Sequence, residues 1–149
     1  MLNDVACAGE ILDEDFFVYY DDADLSWRAR LRGWECRYQP SAHAWHERGG
    51  GDTLRKVFRA AKRPFAQAHA LKNRYLMMLK NDDWANLWPA LPALLIGDLA
   101  RLGYIVARRP ALLRAYVEAW RLRRRALAKR RIIQAGRRVS ASEMRAWLR

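Results

Sequence analysis

The sequence predicts an α/β arrangement, with short strands around one helix in residues 1–52 and a mainly helical extension in 53–149. Three observations predict it. Glu35-Cys36-Arg37-Tyr38 alternates polar and apolar side chains, the period of a strand, and 42–46 reads as a second short strand. Ala68, Leu71, Tyr75, Met78 and Leu79 recur at threes and fours, the period of a helix. Between these patterns Gly49-Gly50-Gly51 marks a flexible loop and the boundary between the two parts.

Taken in order, residues 1–18 are short apolar pieces around acids. Phe16-Phe17-Val18-Tyr19-Tyr20 has the composition of a buried strand or of a tight connection. Asp21 or Asp22 suits a helix N-cap, and 23–31 follows as a helix with Leu25, Ala29 and either Trp27 or Leu31 inward. Gly33 stands where a helix-terminating glycine belongs. A helix is expected over 65–80, stopped by Asn81-Asp82-Asp83, which can cap the next one. The apolar stretch 84–107 carries Pro89 and Pro92 early on. Pro110 opens a further helix with a basic face. Ser140 and Glu143 have the spacing of a capping box before a last short helix over 144–148.

Net charge is +12, unevenly spread. Residues 1–24 hold eight acids and no Lys or Arg, whereas 101–149 hold fifteen Arg and Lys against Glu118 and Glu143. Such a division points to two jobs in two places. Cys7 and Cys36 lack metal-pair spacing and read as buried free thiols. Met1 to Asp4 has no basic start, so no secretory leader is expected. Asp98 and Arg101 interrupt 84–107, so no ordinary membrane span is expected either.

The most informative stretch is Tyr20-Asp21-Asp22-Ala23-Asp24-Leu25-Ser26-Trp27-Arg28, with Trp45-His46 downstream. Three carboxylates in four positions repel one another unless a cation, a helix N-terminus or a proton relieves them. Helix-dipole stabilisation alone, at about 0.3–1 kcal/mol each, would explain them. An acid/base or metal site would explain them equally.

With Asp13-Glu14-Asp15-Phe16-Phe17 before it and Gly33-Trp34 after it, this set resembles family 2 glycosyltransferases. These are GT-A-fold enzymes that use a nucleotide-diphospho-sugar donor, and the bacterial rhamnosyltransferase-like members of cell-envelope polysaccharide synthesis are the most similar. The resemblance covers roughly 8–50, the last third of the family's catalytic domain; Asn73-Arg74-Tyr75 and Lys80-Asn81 fit the region beyond it. It implies a partial GT-A domain over 1–52, with Asp22 as catalytic base and Asp21 as second candidate. Asp24, Trp27 and Arg28 would shape the acceptor side and hold the Asp22 loop. His46 would bind a divalent cation, Mg or Mn, shared with an upstream Asp-x-Asp. The chain is then expected to be the C-terminal portion of an inverting enzyme, inactive alone without the donor-binding half. Its acceptor would be a lipid-linked or other glycan.

Two readings of the C-terminal part stand side by side. Trp84 and Trp88 at one end of the apolar stretch, Arg108 and Arg109 at the other, and Arg121 and Arg124 beyond fit an anionic membrane surface, inside the cell. A solvated basic helix fits the same residues. Two classes without catalysis compete with the enzyme. One is a basic peripheral membrane module. The other is nucleic-acid binding, which the net charge permits but which no recognisable binding motif supports.

Overall fold

The computed structural model describes residues 1–45 and 64–147. Among them are six α-helices: α1 Leu2–Val5, α2 Asp21–Leu31, α3 Pro64–Asn81, α4 Trp84–Arg108, α5 Leu113–Ala135 and α6 Ala141–Trp147. A 3-10 turn, Pro110–Leu112, opens α5. No strand occurs among the described residues; the one β-bridge joins Cys7 and Glu10 across a turn at Ala8 and Gly9. The expected α/β fold, a partial GT-A domain, is therefore overturned by a mainly helical chain.

The physical reason lies in pairing. A strand needs a neighbour to take its backbone N–H and C=O groups. Residues 35–39 lie exposed with no regular secondary structure, with Glu35 and Arg37 paired to each other. Only an exposed turn, Ala42 N to Gln39 O at 3.0 Å, follows. Polar–apolar alternation there marks exposed chain, and Cys36, expected buried, is exposed. The rest of the second expected strand, His46, and the loop Gly49-Gly50-Gly51 lie outside the described residues.

The helices follow their sequence signals closely. Acids fill the first turn of α2 and Arg28 and Arg30 its last, matching the helix dipole. Gly33, at φ 86°, closes it. Its N–H donates to Arg30 O at 2.9 Å, and Trp34 N–H donates to Ala29 O at 3.0 Å, the paired bonds of a Schellman end. Asp83 caps α4, accepting from Ala85 N at 2.7 Å. The Ser140–Glu143 box forms in both directions: Ser140 N donates to Glu143 Oε2 at 2.6 Å, and Glu143 N to Ser140 Oγ at 3.2 Å.

Helices α3 and α5 run side by side and parallel. Ala68 and Leu71 meet Leu112 and Ala115 at one end, and Leu76 and Met77 meet Ala126 further along. At the other end Arg130 donates to Leu79 O at 3.0 Å and Gln134 to Asn81 O at 3.0 Å, taking up carbonyls that the end of α3 leaves free. Helix α4 returns antiparallel between them, tied by two residues at one end and four at the other. Ile105 joins the Ala68–Leu71 cluster, and Arg74 bonds Asp98 at 3.0 Å. Pro89 blocks the hydrogen bond to Ala85 O, and Arg145 of α6 takes that carbonyl at 2.6 Å.

Candidate functional site

The acidic segment is not a solvated head. Its carboxylates fold inward onto cations from α2, α3 and α5. Asp24, fully buried, accepts from Arg28 Nε at 2.9 Å and from Asn81 Nδ2 at 2.7 Å, and forms an ion pair with Lys80 Nζ at 2.8 Å. Lys80 also pairs with Asp13. Lys129 spends its three donors on Glu10 at 2.8 Å, Asp13 at 2.6 Å and Asp15 at 3.0 Å. Arg28 Nη2 donates to Ile11 O at 2.6 Å, and its Nη1 to Val5 O. Arg125, half exposed, reaches Asp15 at 3.0 Å. Four carboxylates thus meet four cations. Burial raises the Asp13 carboxyl, but the hydrogen bonds from Lys129 and Lys80 outweigh it and hold it below its ordinary value.

Directly before the acids the backbone is strained. Phe17, Tyr19 and Tyr20 have φ of 62°, 67° and 67°, a region that costs a non-glycine residue about 1–3 kcal/mol. Asn73 of α3 holds them there. Its Nδ2 donates to the carbonyls of Phe16, Val18 and Tyr19 at 2.9, 2.8 and 2.8 Å. The run 16–20 is therefore a tight connection and not a strand. The N-cap of α2 is Tyr20, with Asp21 and Asp22 in the first turn.

This arrangement sorts the sequence-predicted residues. Asp24 and Arg28 are locked in the buried cluster and hold the loop from beneath. Asp22 is exposed, and Asp21 half-buried, at the start of α2. Trp27 is half-buried and, with Tyr20, lines a cavity of about 440 Å³ between α2, α3, α4 and α6. Met77, Met78, Leu87 and Leu94 give it apolar walls; Arg74, Asp82 and Arg145 give it charge. Burial pushes the Asp82 carboxyl up. Trp84, Trp88, Arg108, Arg121 and Arg124 are exposed, whereas Arg109 is half-buried and bonds Gln67 at 3.1 Å.

The resemblance implies a divalent cation, and the described residues do not fit one. No group of three or more His, Cys, Asp or Glu among them could hold a metal ion, and the clustered carboxylates are already taken by Lys80 and Lys129. His46, the implied ligand, lies outside the described residues. His69 packs against Phe17 and Phe65, with ring centroids 5.5 and 4.5 Å away.

Asn73, Lys80, Asn81 and Lys129, which hold the acidic loop, received no role from the sequence. A signal existed for three of them. Asn73 and Lys80-Asn81 belong to the patches that the resemblance extends to, and a buried polar residue on an otherwise apolar helix face implies a partner.

No family model, curated protein or solved structure matches the chain.

Proposed function

We propose that the chain supplies the acceptor side of an inverting sugar transfer from a nucleotide-diphospho-sugar, with Asp22 as general base. Asp22 would take the proton of an acceptor hydroxyl as that oxygen attacks the anomeric carbon, opposite the departing nucleotide. The observation that carries the proposal is the division of labour among neighbouring carboxylates. Asp24 is consumed by Arg28, Lys80 and Asn81, which leaves Asp22 exposed in the first turn of α2, directly after the strained, clamped run that ends at Tyr20. Tyr20, one step before the acids, opens onto the cavity. A base must be held still yet reachable, and this placement supports both needs. The proposal rests on the motif and its geometry and not on a GT-A sheet. Donor binding falls to the part of the family's domain that precedes the region of resemblance, and no step is drawn through a cation.

The transfer is placed on the cytoplasmic face of the membrane, with the chain peripheral to it. Helix α4 is long and apolar enough to cross a membrane and is almost entirely unburied, which supports the membrane part of this placement. The same observation favours a second reading, a peripheral membrane module without catalysis. The experiment is sugar release from uridine- and thymidine-diphospho-sugars by the longest natural polypeptide that contains this chain. Asp22→Asn is expected to lower turnover about 10²-fold with donor affinity unchanged. Unchanged turnover removes Asp22 from the role; no transfer from any donor leaves the second reading.

A further inference from the structure

Helix α4 has its polarity inside out. Its less exposed stripe is Leu87, Leu91, Leu94, Asp98, Arg101 and Ile105. Both charged side chains within the stretch 84–107 thus face the protein, where Asp98 pairs with Arg74 and Arg101. The outward face offers Trp88, Leu95, Ile96, Leu99, Leu102 and Val106, with Ile96 70% and Leu99 67% exposed. A surface helix in water has the reverse pattern. Trp84 and Tyr104, exposed near the two ends, suit the boundary between acyl chains and headgroups.

Length and composition would let α4 span a bilayer, but its connections forbid it in this fold. The end of α3 and the start of α5 lie at opposite ends of α4, two residues and four residues away. A spanning α4 would put them on opposite sides of the membrane. Yet α3 and α5 pack side by side along their length, sharing the Leu76–Ala126 cluster and the Arg130 and Gln134 bonds. Helix α5 cannot follow α4 through, because it carries eight Arg and Lys against Glu118.

We infer that α4 lies in the plane of an anionic lipid surface, its outward face among the acyl-chain ends, and does not cross the bilayer. Charge selects the occupant. Two copies of a chain with net charge +12 repel each other, whereas an anionic surface attracts them. Exposed Arg114, Arg121, Arg124 and Arg131 share one face of α5 and add to that attraction. The inference rests on the membrane location proposed above and not on the transfer chemistry.

The test is flotation of the purified chain with phosphatidylcholine vesicles, with and without phosphatidylglycerol. Nitroxide depth measurements at Trp88→Cys, Ile96→Cys and Val106→Cys then follow in a Cys36→Ser background. Cys7 is buried and stays unlabelled. Expected are binding that needs the anionic lipid and one shallow depth for all three labels. Ile96→Glu should weaken flotation at least about tenfold while circular dichroism is unchanged. A label at 96 near the bilayer centre, with 88 and 106 shallow, overturns the in-plane anchor alone. Absence of vesicle binding overturns the membrane location with it. An Ile96-dependent dimer that ignores vesicles assigns the face to a second copy and overturns the inference too.

Discussion

The acidic segment and helix α4 break the usual rule of burial in opposite directions. In the first, Asp13, Asp24, Arg28, Lys80 and Lys129 are buried, each at 7% exposure or less. In the second, Trp88, Ile96 and Leu99 stand out in the open. Charged side chains are almost never fully buried unless paired, and large apolar patches are rarely left uncovered. The first region satisfies its rule internally, because each of these five charges meets its opposite, and buried Lys72 is taken by the Asp15 carbonyl at 2.6 Å. The second has no internal remedy, since its charges already point inward. Inverted burial thus has two meanings: a closed network signals structure, and an open apolar face signals a surface to which the protein goes.

The sharpest way to break the comparison is to remove a cation from the closed network. Lys80→Met leaves Asp13 and Asp24 short of a partner in the interior, and a loss of about 3–5 kcal/mol is expected in urea unfolding. A loss under about 1 kcal/mol would mean that water already enters the cluster. Next comes the clamp. Asn73→Ala strips the carbonyls of Phe16, Val18 and Tyr19 of their donor, at an expected cost of about 1–3 kcal/mol. Amide exchange at Tyr20 to Asp22 should quicken in that variant; unchanged protection would show that the strained turn holds itself.

Acid should act on the network alone. The Asp13 carboxyl lies below its unfolded value of 3.8 in the fold, so its contribution is present above that value and is lost as pH falls through the folded one. Glu10 has the same sign: burial raises it, and the Lys129 bond together with the Glu14 N–H more than compensates. Asp4, held low by the Trp34 hydrogen bond, agrees. Asp82, raised by burial, has the opposite sign and favours the fold as pH falls. With the lowered carboxyls in the majority, the segment should loosen below about pH 4 and be indifferent near neutrality. Tryptophan fluorescence of Trp27 and Trp34 followed down the titration checks this; a flat signal to about pH 2 counts against it. Smallest of all is the effect of Ile96→Glu on stability in water, expected within about 0.5 kcal/mol because the side chain touches little. A large loss there would mean that α4 is packed after all.

Much of the helical part was legible because its signals are local. Asp83 and Ser140 cap their helices, Gly33 ends α2, and the spacing of Ala68, Leu71 and Tyr75 marks α3. The same locality misled at 35–38, where alternation without a neighbouring strand is only exposed chain. At 84–107 Asp98 and Arg101 interrupt the apolar stretch in sequence, but both face inward, where Arg74 takes Asp98, and this leaves the outward face of α4 without charge. The site was half legible. The acidic run could be seen, but which carboxylate is spent could not, because Lys80 reaches Asp13 across 67 positions and Lys129 across 116. No window along the chain contains both partners.

That separation has a consequence for how the molecule comes into being. Residues 4–15 leave the ribosome well before α5, as a run rich in acids, and the lysine that binds three of them is made more than a hundred residues later. Until α5 is complete Glu10 and Asp15 lack their lysine, and only Lys80 of α3 can reach Asp13 and join Arg28 at Asp24. Seating the acidic segment is therefore a late act of folding. The buried clasp works as a seal set once α5 has arrived, and a nascent chain without Lys129 cannot complete it.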